Sequence, residues 1–199
     1  MKAFLICLMT SMLLYGSNGS DFVKAHYLKS YDYEQMGKYT EALKVLSALY
    51  KKYPKGYTLN LRFGWLFYLN GNYADAQKYY KKALLIKPVS LEAKLGLVRV
   101  FLATNSYKDA QSFAYEIMKV DFYNYYANLY AIKASIAQKK YAIAQEITLK
   151  MLALYPADVL FLEQLALIYE ATNSSYLQQL YKDILILDPN NVLVHSKDL

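Results

Sequence analysis

Cysteine and histidine are so scarce in this sequence that it gives no support for thiol, metal or histidine acid–base chemistry. The only cysteine, Cys7, lies in an apolar run near the N-terminus, so neither a disulfide nor a Cys-x-x-Cys motif can form within the chain. The two histidines, His26 and His195, are far apart in the sequence and suggest neither a metal site nor an acid–base pair. A glycine-rich phosphate loop and a Gly-x-Ser-x-Gly elbow are also missing. The sequence therefore predicts a protein that is not an enzyme, with no metal and no cofactor.

Residues that break helices are few as well. The 199 residues include only 7 glycines and 4 prolines, and β-branched runs with strict alternation are absent. These absences argue against a protein of many short strands and favour long helices. The chain is 56% hydrophobic, and 23 of its residues are tyrosines, whose apolar ring and polar tip suit half-buried surfaces.

The formal net charge of +7 is moderate, because most lysines alternate with aspartates and glutamates. This pattern predicts solvated helix surfaces rather than one strongly basic face. The two most basic stretches are residues 51–55 and 78–87. Both fall on predicted second helices and turns, and we do not expect nucleic acid to be a partner.

Residues 1–20 have the pattern of a secretory signal peptide. Lys2 is followed by an apolar run over residues 3–14 and then by a small, polar segment over residues 15–20. Ser17 and Gly19 provide small residues at positions −3 and −1 of a cleavage site after Gly19. The run is shorter than the about 20 residues that a membrane-spanning helix needs. We expect export, most simply to a bacterial periplasm, with secretion or anchoring by an uncleaved N-terminal segment as alternatives; the mature chain is predicted to have no membrane span.

The prolines reveal a long internal period, of about 34 residues, that is known from helical repeats. Pro88 follows Pro54 by 34 residues, and Pro156 follows Pro88 by 68 residues, which is twice that interval. Pro189 follows Pro156 by 33 residues. At the missing position of this series the chain has Phe122. A fixed period of this size is typical of a solenoid, in which each helical unit buries its apolar stripe against its neighbours.

Turn residues and alanines follow the same register. Four times along the chain, a short polar turn with a tyrosine two residues on comes before a predicted second helix, and an alanine follows three residues after that tyrosine. A Gly or Asn in such a turn can adopt a positive φ and end the first helix. A small alanine lets two helices approach closely. The tyrosine–alanine pairs are Tyr39 and Ala42, Tyr73 and Ala76, Tyr107 and Ala110, and Tyr141 and Ala144.

These residues resemble the tetratricopeptide repeat, a helix–turn–helix unit of about 34 residues. The resemblance implies an all-α fold, a right-handed α-solenoid, over a domain of residues 21–199 that follows a signal peptide of residues 1–20. The predicted repeats are residues 23–56, 57–90, 91–124 and 125–158, with a degenerate repeat at 159–191.

In this family the first helix of each repeat lines a concave groove that holds partner proteins. Some members grip a C-terminal carboxylate through asparagines, but Tyr31 and Trp65 occupy those positions here, so that clamp is not expected. What remains is an aromatic groove with a few cations, suited to a protein or peptide segment. The predicted groove residues are Lys24, Tyr27, Tyr31 and Glu34; Thr58, Leu61, Trp65 and Tyr68; Glu92, Leu95, Arg99 and Leu102; and Tyr126, Leu129 and Lys133.

The sequence thus predicts an exported scaffold for protein–protein interaction, with envelope assembly or secretion as the expected setting. Several of the rings could instead only pack between repeats. Two alternatives remain open. The repeat array could self-assemble into homo-oligomers through its end faces, or the tyrosines could stack on sugar rings of a glycan such as peptidoglycan.

Overall fold

The computed structural model describes the backbone of residues 2–197 and the side chains of residues 19–197. In this part of the chain there are eleven helices and no strand, which confirms the predicted all-α class. The first ten form five consecutive helix–turn–helix pairs, and a short helix follows them. The helices are α1 (Lys2–Gln35), α2 (Tyr39–Lys52), α3 (Tyr57–Leu69), α4 (Tyr73–Ile86), α5 (Leu91–Ala103), α6 (Tyr107–Met118), α7 (Tyr125–Ala137), α8 (Tyr141–Leu152), α9 (Val159–Ala171), α10 (Leu177–Leu187) and α11 (Val192–His195).

The turn inside each pair contains one residue with a positive φ. Gly37 (70°), Gly71 (74°) and Asn105 (57°) adopt this conformation, as the sequence predicts for residues that tolerate it. Lys139 (59°) and Asn173 (52°) do the same in the fourth and fifth pairs. A lysine is a poor choice there, because its Cβ is crowded in the left-handed region.

The alanines that follow the turns make close helix packing possible. Ala42, Ala76, Ala110 and Ala144 are all fully buried in the second helices of the first four pairs. A larger side chain at these positions would push the two helices apart, because protein cores leave little empty space.

Gly64 brings α3 and α4 together in the second pair. A Cβ atom at this position would lie 2.8 Å from Cδ1 of Tyr80, whose ring is itself buried. The ring therefore packs directly on the backbone of α3, and the pair is closer here than any side chain on Gly64 would permit.

Loops between pairs are tied down by buried asparagines. Asn60 Nδ2 donates to the carbonyl oxygens of Pro54 (3.0 Å) and Gly56 (2.8 Å), which lie in the loop before α3. Asn128, two repeats further on, makes the same pair of bonds to the loop before α7 (3.0 and 2.8 Å). The carbonyls of Gly56 and Asn124 also accept the backbone N–H of Asn60 and Asn128 (both 3.0 Å), so each asparagine joins the loop to the start of its helix through side chain and backbone together.

The chain forms two compact units, Met1–Ser90 and Leu91–Leu199. Unit 1 contains the first two helix pairs, and unit 2 contains the remaining three with α11. A core of unit 1 is built from Ala42, Leu43, Leu46, Leu49, Leu59, Phe63 and Leu66. A core at the C-terminal end of unit 2 is built from Leu162, Leu165, Ala166, Leu180, Tyr181, Ile184 and Val194.

Helix α11 closes the fifth pair. Val194 packs into the core of unit 2, and Asn191 caps the helix by accepting a hydrogen bond from the backbone N–H of Val194 (3.2 Å). Asn191 Nδ2 also donates to Glu163 Oε1 (2.8 Å). The tail after the degenerate repeat is therefore attached to the fold by both apolar and polar contacts.

The predicted signal peptide falls almost entirely on residues whose side chains lie outside the described part of the chain. Helix α1 begins at Lys2, so its backbone is continuous with the first repeat. Among the described residues, none of the helices combines the length and the apolar character that crossing a membrane requires. Removal of the predicted signal peptide remains a prediction.

Candidate partner-binding surfaces

A buried arginine connects α1 and α3, the first helices of the two helix pairs in unit 1. Arg62 on α3 is only 7% exposed, and its Nε and Nη2 donate to Ser30 Oγ on α1 (3.1 and 2.9 Å). Its Nη1 donates to Glu34 Oε2, also on α1. A buried cation needs such partners, because desolvation of an unpaired charge is costly. This network joins α1 to α3.

Two predicted groove aromatics are attached to the same network. The guanidinium carbon of Arg62 lies 3.9 Å from the ring centroid of Tyr31. Trp65 Nε1 donates to Glu34 Oε1 (2.7 Å), and its indole stacks on Tyr68 with centroids 5.7 Å apart. The three rings therefore hold defined positions in the absence of a partner.

The other predicted positions of unit 1 surround these rings. Tyr27 donates to Thr58 Oγ1 (3.3 Å), and burial raises the pKa of Tyr27 although this hydrogen bond opposes the shift. Lys24 and Thr58 are exposed, and Leu61 is half-buried. Tyr31 remains 47% exposed. We call Tyr27, Tyr31, Trp65 and Tyr68 the aromatic surface of unit 1.

A second set of rings lies on α7 in unit 2. Tyr126 and Tyr130 stack with centroids 6.0 Å apart, and Arg99 Nε donates to the hydroxyl of Tyr130 (2.9 Å). The guanidinium carbon of Arg99 lies 5.8 and 5.7 Å from the two ring centroids. Tyr126 is 48% exposed. We call Arg99, Tyr126 and Tyr130 the aromatic surface of unit 2.

The remaining predicted positions of unit 2 differ in exposure. Lys133, one turn beyond the aromatic surface, is exposed, and Leu95 and Leu102 are half-buried. Leu129 is only 3% exposed, so its side chain belongs to the core and cannot line a groove. Leu129 lies on the face of α7 that packs against neighbouring helices. The groove pattern of the family did not distinguish this buried position from an exposed one.

Sequence reasoning missed the residues that hold these rings in place. Arg62, Ser30 and Tyr130 were not predicted, although each bonds to or stacks on a predicted residue or its partner. Arg62 did carry a signal, since it is the only charged residue in the apolar helix α3. The pairing with Glu34 joins residues 28 positions apart, and only the packing of α1 on α3 reveals it.

Among the described residues, no group of three or more His, Cys, Asp or Glu side chains could hold a metal ion. Within each aromatic surface, the polar groups form hydrogen bonds with residues of the same unit. The arrangement offers aromatic area, hydrogen-bonding groups and cations to a ligand. Such surfaces are suited to binding.

Comparison with known families and structures gives a consistent result. Two family models, each described as tetratricopeptide repeat, match residues 27–90 and 67–132. No curated protein sequence matches the chain.

Solved structures share the fold at low sequence identity. MamA from Desulfovibrio magneticus RS-1 is 17% identical, with 90% of this chain and 98% of that chain covered and a TM-score of 0.73. YrrB, a TPR protein with an unusual peptide-binding site, is 13% identical, with coverages of 89% and 98% and a TM-score of 0.70. PilW, a widely conserved type IV pilus biogenesis factor, is 18% identical, with coverages of 84% and 78% and a TM-score of 0.75.

The two family matches overlap and together span residues 27–132, which is more than half of the chain. The described helix pairs continue the same architecture to residue 187. The chain belongs to the tetratricopeptide-repeat family.

Proposed function

We propose that this protein is a non-catalytic scaffold that binds segments of partner proteins through its two aromatic surfaces. The observation that supports this most directly is that the rings are fixed by the protein's own contacts while Tyr31 and Tyr126 stay about half exposed. Rings that are already ordered lose little conformational entropy when a partner binds. YrrB, which shares the fold, is described as having a peptide-binding site.

The chemistry of the surfaces favours a segment with apolar or aromatic side chains and nearby acidic groups. Tyr and Trp rings provide large contact areas, and Arg99, Lys24 and Lys133 supply positive charge beside them. The groups of Glu34 are committed to Arg62 and Trp65. We therefore expect partners to contact ring faces rather than to displace this network.

A selected peptide tests the proposal. Peptides that bind the protein would be selected from a random library, and the affinity of each would be measured by the fluorescence anisotropy of a labelled copy of the peptide. We expect Tyr31→Ala or Tyr126→Ala to raise the Kd at least tenfold, since truncated aromatic hot spots typically cost about 2 kcal/mol or more. Each surface would be examined with its own variant.

Matched controls are available among the exposed loop tyrosines. Tyr53→Ala and Tyr155→Ala remove rings of similar exposure that lie outside both aromatic surfaces. Equal losses of affinity in all four variants, or none in any, would contradict the assignment of the surfaces. If the library yields no peptide and the protein only sediments as oligomers or is retarded by a glycan, self-assembly or glycan binding replaces this proposal.

We also propose that the protein acts outside the cytoplasm, in envelope assembly or secretion. The N-terminal pattern supports export, and PilW, which shares the fold, is described as a type IV pilus biogenesis factor. Expression of the full chain in a bacterial host followed by intact-mass analysis should show loss of residues 1–19. Leu8→Lys together with Leu13→Lys should block this processing. A full-length product recovered with membranes would instead support an uncleaved anchor.

A further inference from the structure

One edge of unit 1 combines a high density of lysines with exposed aliphatic side chains. It consists of the C-terminal ends of α2 and α4 and the loops that follow them, residues 50–57 and 78–90. These two stretches carry seven lysines and no aspartate or glutamate. Lys78 lies 3.9 Å from Asp75, which partly balances its charge. We call the remaining six the lysine edge: Lys51, Lys52, Lys55, Lys81, Lys82 and Lys87.

The charges of the lysine edge are not neutralised within the protein. In the described part of the chain none of the six forms an ion pair with a carboxylate. Their neighbours are aromatic: Lys82 Nζ donates to Tyr50 Oη (2.7 Å), and Lys87 Nζ lies 4.4 Å from the ring centroid of Tyr57. These contacts orient the ammonium groups and leave their charge uncompensated.

Aliphatic side chains project from the same edge. Leu85 is 84% exposed and Val89 is 86% exposed, so neither contributes to the core. A cleft of about 490 Å³ separates the loop after α2 from the end of α4. Both lysines and apolar side chains line the cleft: Tyr50, Pro54, Lys55, Lys82, Leu85 and Ile86.

The corresponding ends of the second helices in unit 2 do not share this composition. Residues 116–124, 149–158 and 182–191 carry one lysine each and together five aspartates or glutamates. The lysine edge is therefore a local property of unit 1 and does not follow from the repeat pattern. A feature that departs from the repeat points to a role of its own.

We propose that the lysine edge docks unit 1 on an anionic membrane surface. Lysine ammonium groups are attracted to lipid phosphates, and each contributes about a fivefold gain in binding near such a surface. Leu85 and Val89 would enter the boundary between headgroups and acyl chains, where exposed aliphatic groups are stabilised. Nucleic acid fits less well, because the edge has no arginine and its aliphatic groups gain nothing from a phosphate backbone.

Vesicle flotation tests the electrostatic part. The full chain would be mixed with vesicles of pure phosphatidylcholine or of phosphatidylcholine with about one third phosphatidylglycerol. The apolar run at residues 3–14 is present with both, so the difference between the two compositions reports the electrostatic contribution to binding. We expect Lys51→Gln/Lys55→Gln/Lys81→Gln to lower partitioning to anionic vesicles at least tenfold. These three side chains are exposed, so circular dichroism should be unchanged.

The control removes the same charge elsewhere. Lys108→Gln/Lys119→Gln/Lys182→Gln neutralises three exposed lysines of unit 2 and should reduce partitioning less than threefold. Equal losses in the two triple variants would overturn the proposal, because net charge alone would then explain the binding. Equal partitioning of the unaltered chain to both kinds of vesicle would overturn it as well.

A site-specific label tests the apolar part. In a Cys7→Ser background, Val89→Cys would carry an environment-sensitive fluorophore, whose emission should shift to the blue on anionic vesicles only. A matched label at Ser112→Cys, an exposed position of α6, should not shift. If a short DNA duplex quantitatively displaces the protein from vesicles and binds it more tightly, the lysine edge is a nucleic-acid site and the membrane proposal fails.

Discussion

Lys139 has a backbone conformation that its side chain disfavours. Its φ of 59° ends α7 in the place where Gly37 and Gly71 end the first helices of the first two pairs. A left-handed backbone conformation costs a residue with a Cβ about 1–2 kcal/mol, and glycine avoids this cost. Part of the advantage is lost because glycine makes the unfolded chain more flexible. We expect Lys139→Gly to raise the free energy of unfolding by about 0.5–1 kcal/mol, as measured by urea denaturation.

The same substitution within a helix provides the control. Lys133 is exposed in the middle of α7, where glycine costs about 1 kcal/mol relative to a good helix former. Lys133→Gly should therefore lower the free energy of unfolding. If both variants shift stability in the same direction, the left-handed turn at position 139 is not the source of strain.

The pair formed by Arg62 and Glu34 should be strongly coupled. Arg62 is buried, so Glu34→Ala leaves a cation whose remaining partners are Ser30 and the ring of Tyr31. We expect a loss of about 2–3 kcal/mol in the free energy of unfolding, below the range for fully buried pairs because Glu34 is partly exposed. The loss should appear in urea titrations of the variant.

A double-mutant cycle separates the pair from its surroundings. Adding Arg62→Met to Glu34→Ala should restore part of the lost stability, since an apolar side chain replaces the unpaired charge. The emission of Trp65 should also change with Glu34→Ala, because the indole N–H loses its acceptor. Strictly additive losses in the two single variants would show that Arg62 does not depend on Glu34.

At the scale of helices, Tyr125 and Asp158 connect the fourth and fifth pairs. Tyr125 opens α7 and donates to Asp158 Oδ2 (2.9 Å), and Asp158 also caps α9 by accepting from the backbone N–H of Phe161 (3.3 Å). Burial, and then the hydrogen bond to Asp158, raises the pKa of Tyr125 well above its ordinary value. The folded state therefore holds this proton more tightly than the unfolded chain does.

This shift fixes the sign of a pH dependence. A raised pKa contributes stability that is complete below the unfolded value of about 10 and is lost as the pH rises toward the folded value. We expect the free energy of unfolding to fall as the pH rises above about 10 and Tyr125→Phe to flatten that fall. Urea titrations at several pH values would measure it.

Asp158→Asn serves as the comparison for this link. It keeps a hydrogen-bond acceptor near Tyr125 and a cap for α9 but removes the negative charge. The alkaline loss of stability should then lie between those of the unaltered chain and Tyr125→Phe. An unchanged profile in Tyr125→Phe would mean that this hydroxyl does not govern the dependence.

The helices themselves were largely predictable. The period of the prolines and the tyrosine–alanine pairs located four turns, and the structure has helix pairs around each of them. The pattern worked because turn residues and buried alanines are local requirements of each pair. The burial and the contacts of the groove residues were less predictable. Leu129 is in the core, and Trp65 donates a hydrogen bond to Glu34. Both depend on neighbours that are distant in sequence.

At the scale of the whole molecule, each unit has a core of its own. The core residues of unit 1 all precede Ser90, and the C-terminal core of unit 2 lies wholly after Leu91. Repeat proteins generally need about three repeats for stability. A fragment of residues 91–199, with three helix pairs, should therefore fold alone, whereas residues 19–90, with two, should be marginal.

Circular dichroism of the two fragments measures this difference. The 91–199 fragment should be helical and unfold in one cooperative thermal transition, and the 19–90 fragment should unfold at a lower temperature over a broader range. The full chain provides the reference. A 91–199 fragment without a cooperative transition would show that unit 2 depends on residues outside it.

The sequence by itself determined the all-α class, the repeat length and the positions of the turns, because these depend on residues close together in the chain. Its resemblance to the tetratricopeptide repeat also predicted a binding role, which stays a prediction. Only the tertiary structure decided which aromatic rings are held in place, that Arg62 is the buried cation between α1 and α3, and that six lysines and two aliphatic side chains share one edge of unit 1. Those properties arise where helices from different repeats meet, and a linear pattern does not specify the partners of a side chain.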